Sequence, residues 1–298
     1  MRFLEQDIRP DARPLFGVRS ASVSRGALTS CYGSALAQLG STSVVAGVRA
    51  ELGRVEPDSR GTQLHCVVAN VELLPLCSPR FLPGKPPELA RAVGAWMNDI
   101  VSGGRGRDAR ASRRALVDSA ALLLTHLAAP ERTVGSLLAA GGSAGDDEHA
   151  RVDDDEARDA PLLAWHLSVD MYCLDYDGNV FDAALMALVA ALHDVRLPTV
   201  SRDDRGQYVR SLERTVPLKL NFVPISTTFA LIDQFIIADP TDAESELETG
   251  SLSVVLDAAG AIVSVRKPGG SPIAVSALRK CVDVAKSRVS VVQKLLRA

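Results

Sequence analysis

The stretch Gly141-Gly142-Ser143-Ala144-Gly145 matches the G-x-S-x-G pattern, in which a sharp strand-to-helix turn exposes a nucleophilic serine. That geometry needs a strand before it and a helix after it. Here the pattern runs into Asp146-Asp147-Glu148 and a solvated acidic tract, so the match is accidental. Asp175-Tyr176-Asp177-Gly178-Asn179 has the acidic residues of a calcium loop, but the ligand spacing is wrong and the twelfth position is Met186 instead of Glu. Gly84-Lys85 continues into Pro86-Pro87 and does not complete a G-x-x-x-x-G-K-[ST] phosphate loop. Histidines 65, 126, 149, 166 and 193 never come at metal-ligand spacing. The five cysteines (31, 66, 77, 173 and 281) include no C-x-x-C pair and read as reduced thiols, which places the protein in the cytosol or nucleus. These patterns give no catalytic residue, no metal site and no cofactor.

The elements that position these residues are legible from periodicity. Residues 33–52 read as two strands around a turn at Leu39-Gly40-Ser41, and residues 64–74 as another extended run closed by Pro75. Pro87 opens a helix whose apolar face is Leu89, Val93, Trp96 and Ile100. Leu163, Trp165, Leu167, Val169, Met171 and Cys173 alternate with more polar partners, the signature of a strand buried on one face. After a turn at Asp177-Gly178-Asn179, residues 182–193 are apolar nearly all round and predict a buried helix, ended by Pro198. Hairpins are expected at 227–238 and at 251–265, the second turning at 257–260. A C-terminal helix places Leu278, Val282, Ala285, Val289, Val292 and Leu296 on its core face and Arg279, Lys280, Lys286 and Arg288 elsewhere. The order predicts an α+β architecture in two related halves, residues 1–102 and 161–298.

Between the halves, residues 103–160 read as an expanded, charged and partly disordered insertion. Five arginines fall between 105 and 114, and eight acidic residues against two arginines between 146 and 159. The 298-residue chain is 47% apolar with a formal charge of −3, enough to bury a sizeable core and too acidic for a globally basic nucleic-acid binder. No run reaches the roughly 18 apolar residues that a membrane span needs, and MRFLEQDIRP lacks the apolar core of a signal peptide.

A collinear set of segments resembles the RNase PH superfamily, and most closely the ring subunits of the eukaryotic RNA exosome, of the lineage related to the non-catalytic subunit of the archaeal ring. The segments are Arg9-Pro10-Asp11-Ala12-Arg13, GSALAQLGSTSVVAGVRAE at 33–51, ANVELLPLCSPRF at 69–81, LDYDGNVFDAALMALVAALHDVRLP at 174–198, FALIDQFIIADPTDAE at 229–244 and KPGGS at 267–271. The resemblance implies an RNase PH-type domain with two β-α halves of packed sheets and helices. It also implies other RNase PH-like subunits as partners in a hetero-hexameric ring, cap proteins with RNA-binding domains, single-stranded RNA in the channel, and a place in the nucleus, nucleolus and cytoplasm. Where the family's opening motif has Gly, this chain has Ala12, which fits only if the backbone there keeps a negative φ.

Active relatives attack the 3′ end of RNA with inorganic phosphate, which takes a cationic clamp, carboxylates and a held RNA end. The resemblance places the phosphate segment on residues 177–182, where Val180 and Phe181 have no side-chain donor and Asp182 repels an anion. The paired aspartates, counted from Asp239, fall on Ser245 and Ser251, and neither serine can act as a carboxylate would. Glu244, Glu246 and Glu248 lie nearby. The helix-opening arginine of the clamp falls near Lys85 or Pro86. The expectation is therefore a non-catalytic ring subunit, with Arg80 and Lys85 as candidate RNA contacts. A phosphorolytic 3′-to-5′ exoribonuclease is the alternative.

Overall fold

The computed structural model describes residues 6–54, 66–103, 115–117, 122, 124, 163–203 and 208–297. Among these, β1 (Ala21–Arg25), β2 (Gly33–Leu39), β3 (Thr42–Arg54) and β4 (Val67–Leu73) precede helix α1 (Glu88–Val101). Strand β5 (Leu163–Asp175) then leads into α2 (Val180–Asp194), β6 (Arg196–Arg202), β7 (Tyr208–Pro217), β8 (Ile225–Ile232) and β9 (Phe235–Ala238). The short α3 (Asp242–Ser245), β10 (Gly250–Leu256), β11 (Ile262–Arg266) and α4 (Val275–Arg297) complete the order.

The strands form a five-stranded sheet, β1-β2-β3-β5-β4, a four-stranded sheet, β11-β10-β8-β9, and a two-stranded ribbon, β6-β7. Among the described strands only β4 runs parallel to its neighbour, pairing Val67 with Leu167 and Leu73 with Cys173. Helix α2 packs on β2 and β3 of the first sheet and on β8 of the second. It is therefore buried on every side, from Val180 to Leu192 without interruption. Alanines at 183, 184, 187, 190 and 191 let both sheets approach its axis. The fit is tight: a Cβ on Gly33 would lie 2.6 Å from the Ala191 carbonyl oxygen. Helix α4 packs on β8 and β10 of the second sheet and also meets β1 and α2.

The α+β architecture, the strand pair around Gly40, the alternating β5, the buried helix and both hairpins agree with the expectations from sequence, while β5, expected to open the second half, lies between β3 and β4 in the first sheet. Three other details differ. Helix α1 buries Ala90, Val93, Gly94, Met97, Ile100 and Val101, while Leu89 is 37% exposed. The rotation lets the Asn98 side chain accept from the Ala69 N–H at 2.9 Å and donate to its carbonyl at 2.7 Å, which satisfies the edge of β4. Pro198 does not end the helical unit; α2 stops at Asp194 and Pro198 sits inside β6, where the register with β7 shifts by its side. Arg288 is on the core face of α4 and 7% exposed, because the 3.6-residue turn sets it in line with Cys281, Ala285 and Val292.

Most of the 103–160 segment, including the 105–114 arginines, the 146–159 acidic run and Ser143, lies outside the described residues. Of those described within it, Leu116, Val117, Leu122 and Leu124 are buried. The Leu116 N–H donates to the Val101 carbonyl, and that of Leu124 to Leu163. Among the described residues no helix is long and apolar enough to cross a membrane.

Candidate functional site

The N-terminal end of α2 is where three pieces of backbone converge: the β5–α2 turn, the β9–α3 turn and the chain entering β1. The first turn holds Gly178 at φ +74° and Asn179 at φ 46°. Gly178 is required there, since a Cβ would meet the Thr241 carbonyl carbon at 2.5 Å. The second turn holds Asp239 at φ 51°, a region that Asp and Asn tolerate better than most residues. Thr42 locks the first turn by donating its hydroxyl to the Gly178 carbonyl at 2.8 Å.

Four arginines enter this junction, and each meets a carboxylate. Arg19 clamps Asp239 through two nitrogens, at 2.9 and 2.8 Å, and reaches the Asp177 carbonyl at 2.7 Å. Arg13 adds a contact to Asp239 at 3.2 Å. Arg9, 1% exposed, donates from Nε to Glu244 at 2.8 Å and from Nη1 to the Ala238 carbonyl at 2.6 Å. Arg288 donates to Asp182 at 2.8 Å. Asp182, fully buried in the first turn of α2, also accepts from the Thr228 N–H, the Thr228 hydroxyl and the Asn179 amide. Asn179 ties the two halves of the network together by donating to Asp239 at 2.7 Å.

The electrostatics follow from this pairing. Burial alone would push the Asp239 carboxyl up, but the hydrogen bonds and charge of Arg19, aided by Asn179, hold it at about 2. Burial also opposes ionisation of Glu244, and the Arg9 guanidinium with the Thr241 N–H overcomes it and keeps that carboxyl below its usual range. Burial pushes the Glu248 carboxyl up, with no such partner to outweigh it among the described residues. Burial and the Asp242 charge raise the Tyr176 phenol to about 12.

The residues expected from sequence fall around this junction as follows. Val180 and Phe181 are 3% and 4% exposed, and Phe181 meets Trp96 edge-on with ring centroids 5.2 Å apart. An aromatic contact thus fills the first turn of α2. Ser245 ends α3, and Ser251 lies on β10 opposite Ala230. Glu244 is committed to Arg9 and to a capping box with Thr241. The structure brings Arg80 to α3, where it pairs with Asp242 and stands 3.8 Å from Glu246. Lys85 is exposed in the loop before α1 and has no ion pair among the described residues. Ala12 departs from expectation: its φ is +65°, so the turn keeps the left-handed shape that glycine would favour.

Sequence reasoning missed Arg19 and Arg288. Arg288 had a signal, an arginine at a core-facing position of an amphipathic helix. Arg19 had none, because its partners Asp177 and Asp239 lie far along the chain. Each arginine of the junction answers one of its own carboxylates, and only the buried Arg13 Nη2 and Asn179 Oδ1 are left without a hydrogen-bond partner there among the described residues. A phosphate ion would have to compete with those pairs, and breaking a buried one costs several kcal/mol.

Comparison with known proteins agrees with this architecture. Residues 17–198 match the model of the 3′ exoribonuclease family, domain 1, and residues 223–288 match domain 2 of that family. The chain is 30% identical over 286 residues to the Schizosaccharomyces pombe protein named exosome complex component rrp43, covering 96% of this chain and 89% of that one. It is 30% identical over 281 residues to exosome complex component Rrp42 of Methanothermobacter thermautotrophicus, covering 94% and 86%. A chain of the Archaeoglobus fulgidus exosome with RNA bound to the active site superposes with a TM-score of 0.69 at 24% identity, covering 99% of this chain and 93% of that one. Rice Rrp46 superposes at 0.60 with 13% identity, and both of these structural likenesses concern the fold alone. The two domain matches divide where the helix between the sheets gives way to the second sheet, and on that ground this chain belongs to the RNase PH-type 3′ exoribonuclease family.

Proposed function

We propose that this chain is a structural, non-catalytic subunit of an exosome ring. It assembles the RNA channel and so supports 3′-to-5′ RNA processing and degradation, including rRNA maturation and mRNA turnover. Its partners are other RNase PH-like ring subunits in a hetero-hexamer, cap proteins with RNA-binding domains, and single-stranded RNA. Within that assembly it is the counterpart of the subunit numbered eight in the human core, acting in the nucleus, nucleolus and cytoplasm. The names of its relatives support the ring assignment.

The observation that carries the non-catalytic reading is the first turn of α2. Phosphorolysis needs an unengaged cationic cradle there. Phe181 packs on Trp96, and Asp182 is saturated by Arg288, Thr228 and Asn179. Ser245 and Ser251 supply neutral hydroxyls in place of carboxylates. Arg80, which pairs with Asp242, and Lys85 in the loop before α1 remain the candidate RNA contacts. The test is phosphorolysis itself. Purified chain incubated with end-labelled single-stranded RNA and inorganic phosphate should release no nucleoside diphosphate. Release that disappears in Glu246→Gln would overturn the reading in favour of the enzyme.

A further inference from the structure

We propose that the outer face of α4 is a second RNA-contacting surface, which holds the phosphodiester backbone without reading its sequence. Arg279, Lys280, Lys286 and Lys294 are all exposed on this helix. At 100° per residue they fall within one stripe about 120° wide, and from Arg279 to Lys294 the stripe runs about 22 Å along the axis. Ser276, Ser287 and Ser290 lie in the same stripe and are exposed. Asp283 is its one acid. None of the four cations has an ion pair among the described residues, whereas the four arginines at the α2 junction all do. On a chain whose formal charge is −3, this is a concentrated positive line that Asp283 offsets only in part.

The chemistry selects the ligand. The stripe has no aromatic side chain on which a base could stack, and no large apolar anchor at its centre to seat a folded protein. Spaced point charges with hydroxyls between them suit a linear polyanion. The choice of RNA over an acidic peptide rests on the ring-subunit reading above. Lysine-rich contacts of this kind are sequence-independent and salt-sensitive, with log Kd changing by about 0.7 per decade of salt for each phosphate neutralised on a single strand, or about 3 for four contacts.

Fluorescence anisotropy of a labelled, mixed-sequence single-stranded RNA titrated with the full chain tests this. The combined change Lys280→Glu, Lys286→Glu and Lys294→Glu should weaken binding more than tenfold and flatten the salt dependence. Asp283→Asn should tighten it severalfold, a gain that misfolding could not mimic. Unaltered affinity in both variants would overturn the proposal, as would poly-glutamate binding this chain more tightly than RNA does. The ring reading fails separately, by absence of co-purifying RNase PH-like subunits, so the two failures are distinguishable.

Discussion

Ala12 shows how much one methyl group can cost. It sits at φ +65° and is exposed, so its Cβ gains no packing in return for the strain. A left-handed conformation costs an L-residue roughly 1–2 kcal/mol, of which glycine's larger unfolded-state entropy would offset a part. The turn is worth that cost because it aims Arg9 and Arg13: the Ala12 N–H donates to the Arg9 carbonyl, and the Arg9 N–H to that of Arg13. Ala12→Gly should therefore stabilise the protein by about 0.5–1 kcal/mol and raise Tm by about 2 °C. Thermal melts of the two forms check this, and a lower Tm for the glycine form would contradict the backbone assignment. Sequence alone led to the opposite expectation, a negative φ at this position. Propensity describes what a residue prefers, and here the ion pairs beyond the turn set the backbone.

At the scale of elements, the chain entering β1 is held to the second sheet by charge. Arg9, Arg13 and Arg19 come from that segment, while Asp239 and Glu244 flank the turn into α3. Both carboxyls titrate lower in the folded protein than in the unfolded chain. Folding therefore releases protons, and the stabilisation is complete above the unfolded values near 4. It is lost as pH falls toward about 2, where Asp239 itself titrates. For Asp239 alone the linkage is on the order of 2 kcal/mol. Acid titration followed by circular dichroism should show stability falling between about pH 4 and 2, and Asp239→Asn should flatten that slope while destabilising the protein at neutral pH. An unchanged slope would place the acid sensitivity elsewhere. The elements themselves were largely readable from sequence. β5 alternates with period two, and α2 is apolar all round because it lies between two sheets. The junction was not readable, since its pairs link residues as far apart as Arg9 and Glu244. Hydrophobic periodicity records which face is buried, but not which charge waits there.

For the whole molecule, the question is what a chain whose junction arginines are paired with its own carboxylates contributes. The ribbon β6-β7 offers one answer. Val209 and Val216, toward opposite ends of β7, are 47% and 54% exposed, and Tyr208 next to Val209 is 38% exposed. Exposed β-branched residues on an open two-stranded ribbon suit pairing with another chain, and they are a hazard if left uncovered. Obligate interfaces bury upward of about 2,000 Å² and are largely apolar, so such contacts should resist salt. Co-expression with an RNase PH-like ring subunit should thus give a complex that survives high salt. Under the same conditions RNA should dissociate, because its contacts are ionic. The double change Val209→Asp and Val216→Asp should break the complex, and the isolated chain should keep its melting temperature, since both side chains project from the surface. Analytical ultracentrifugation reads the first effect and calorimetry the second. If the doubly substituted chain still assembles, the ribbon is a solvent-facing feature and the interface lies on the sheet edges. If it loses its own stability as well, these valines belong to the core of this subunit, and the ribbon would be closing its fold rather than the ring.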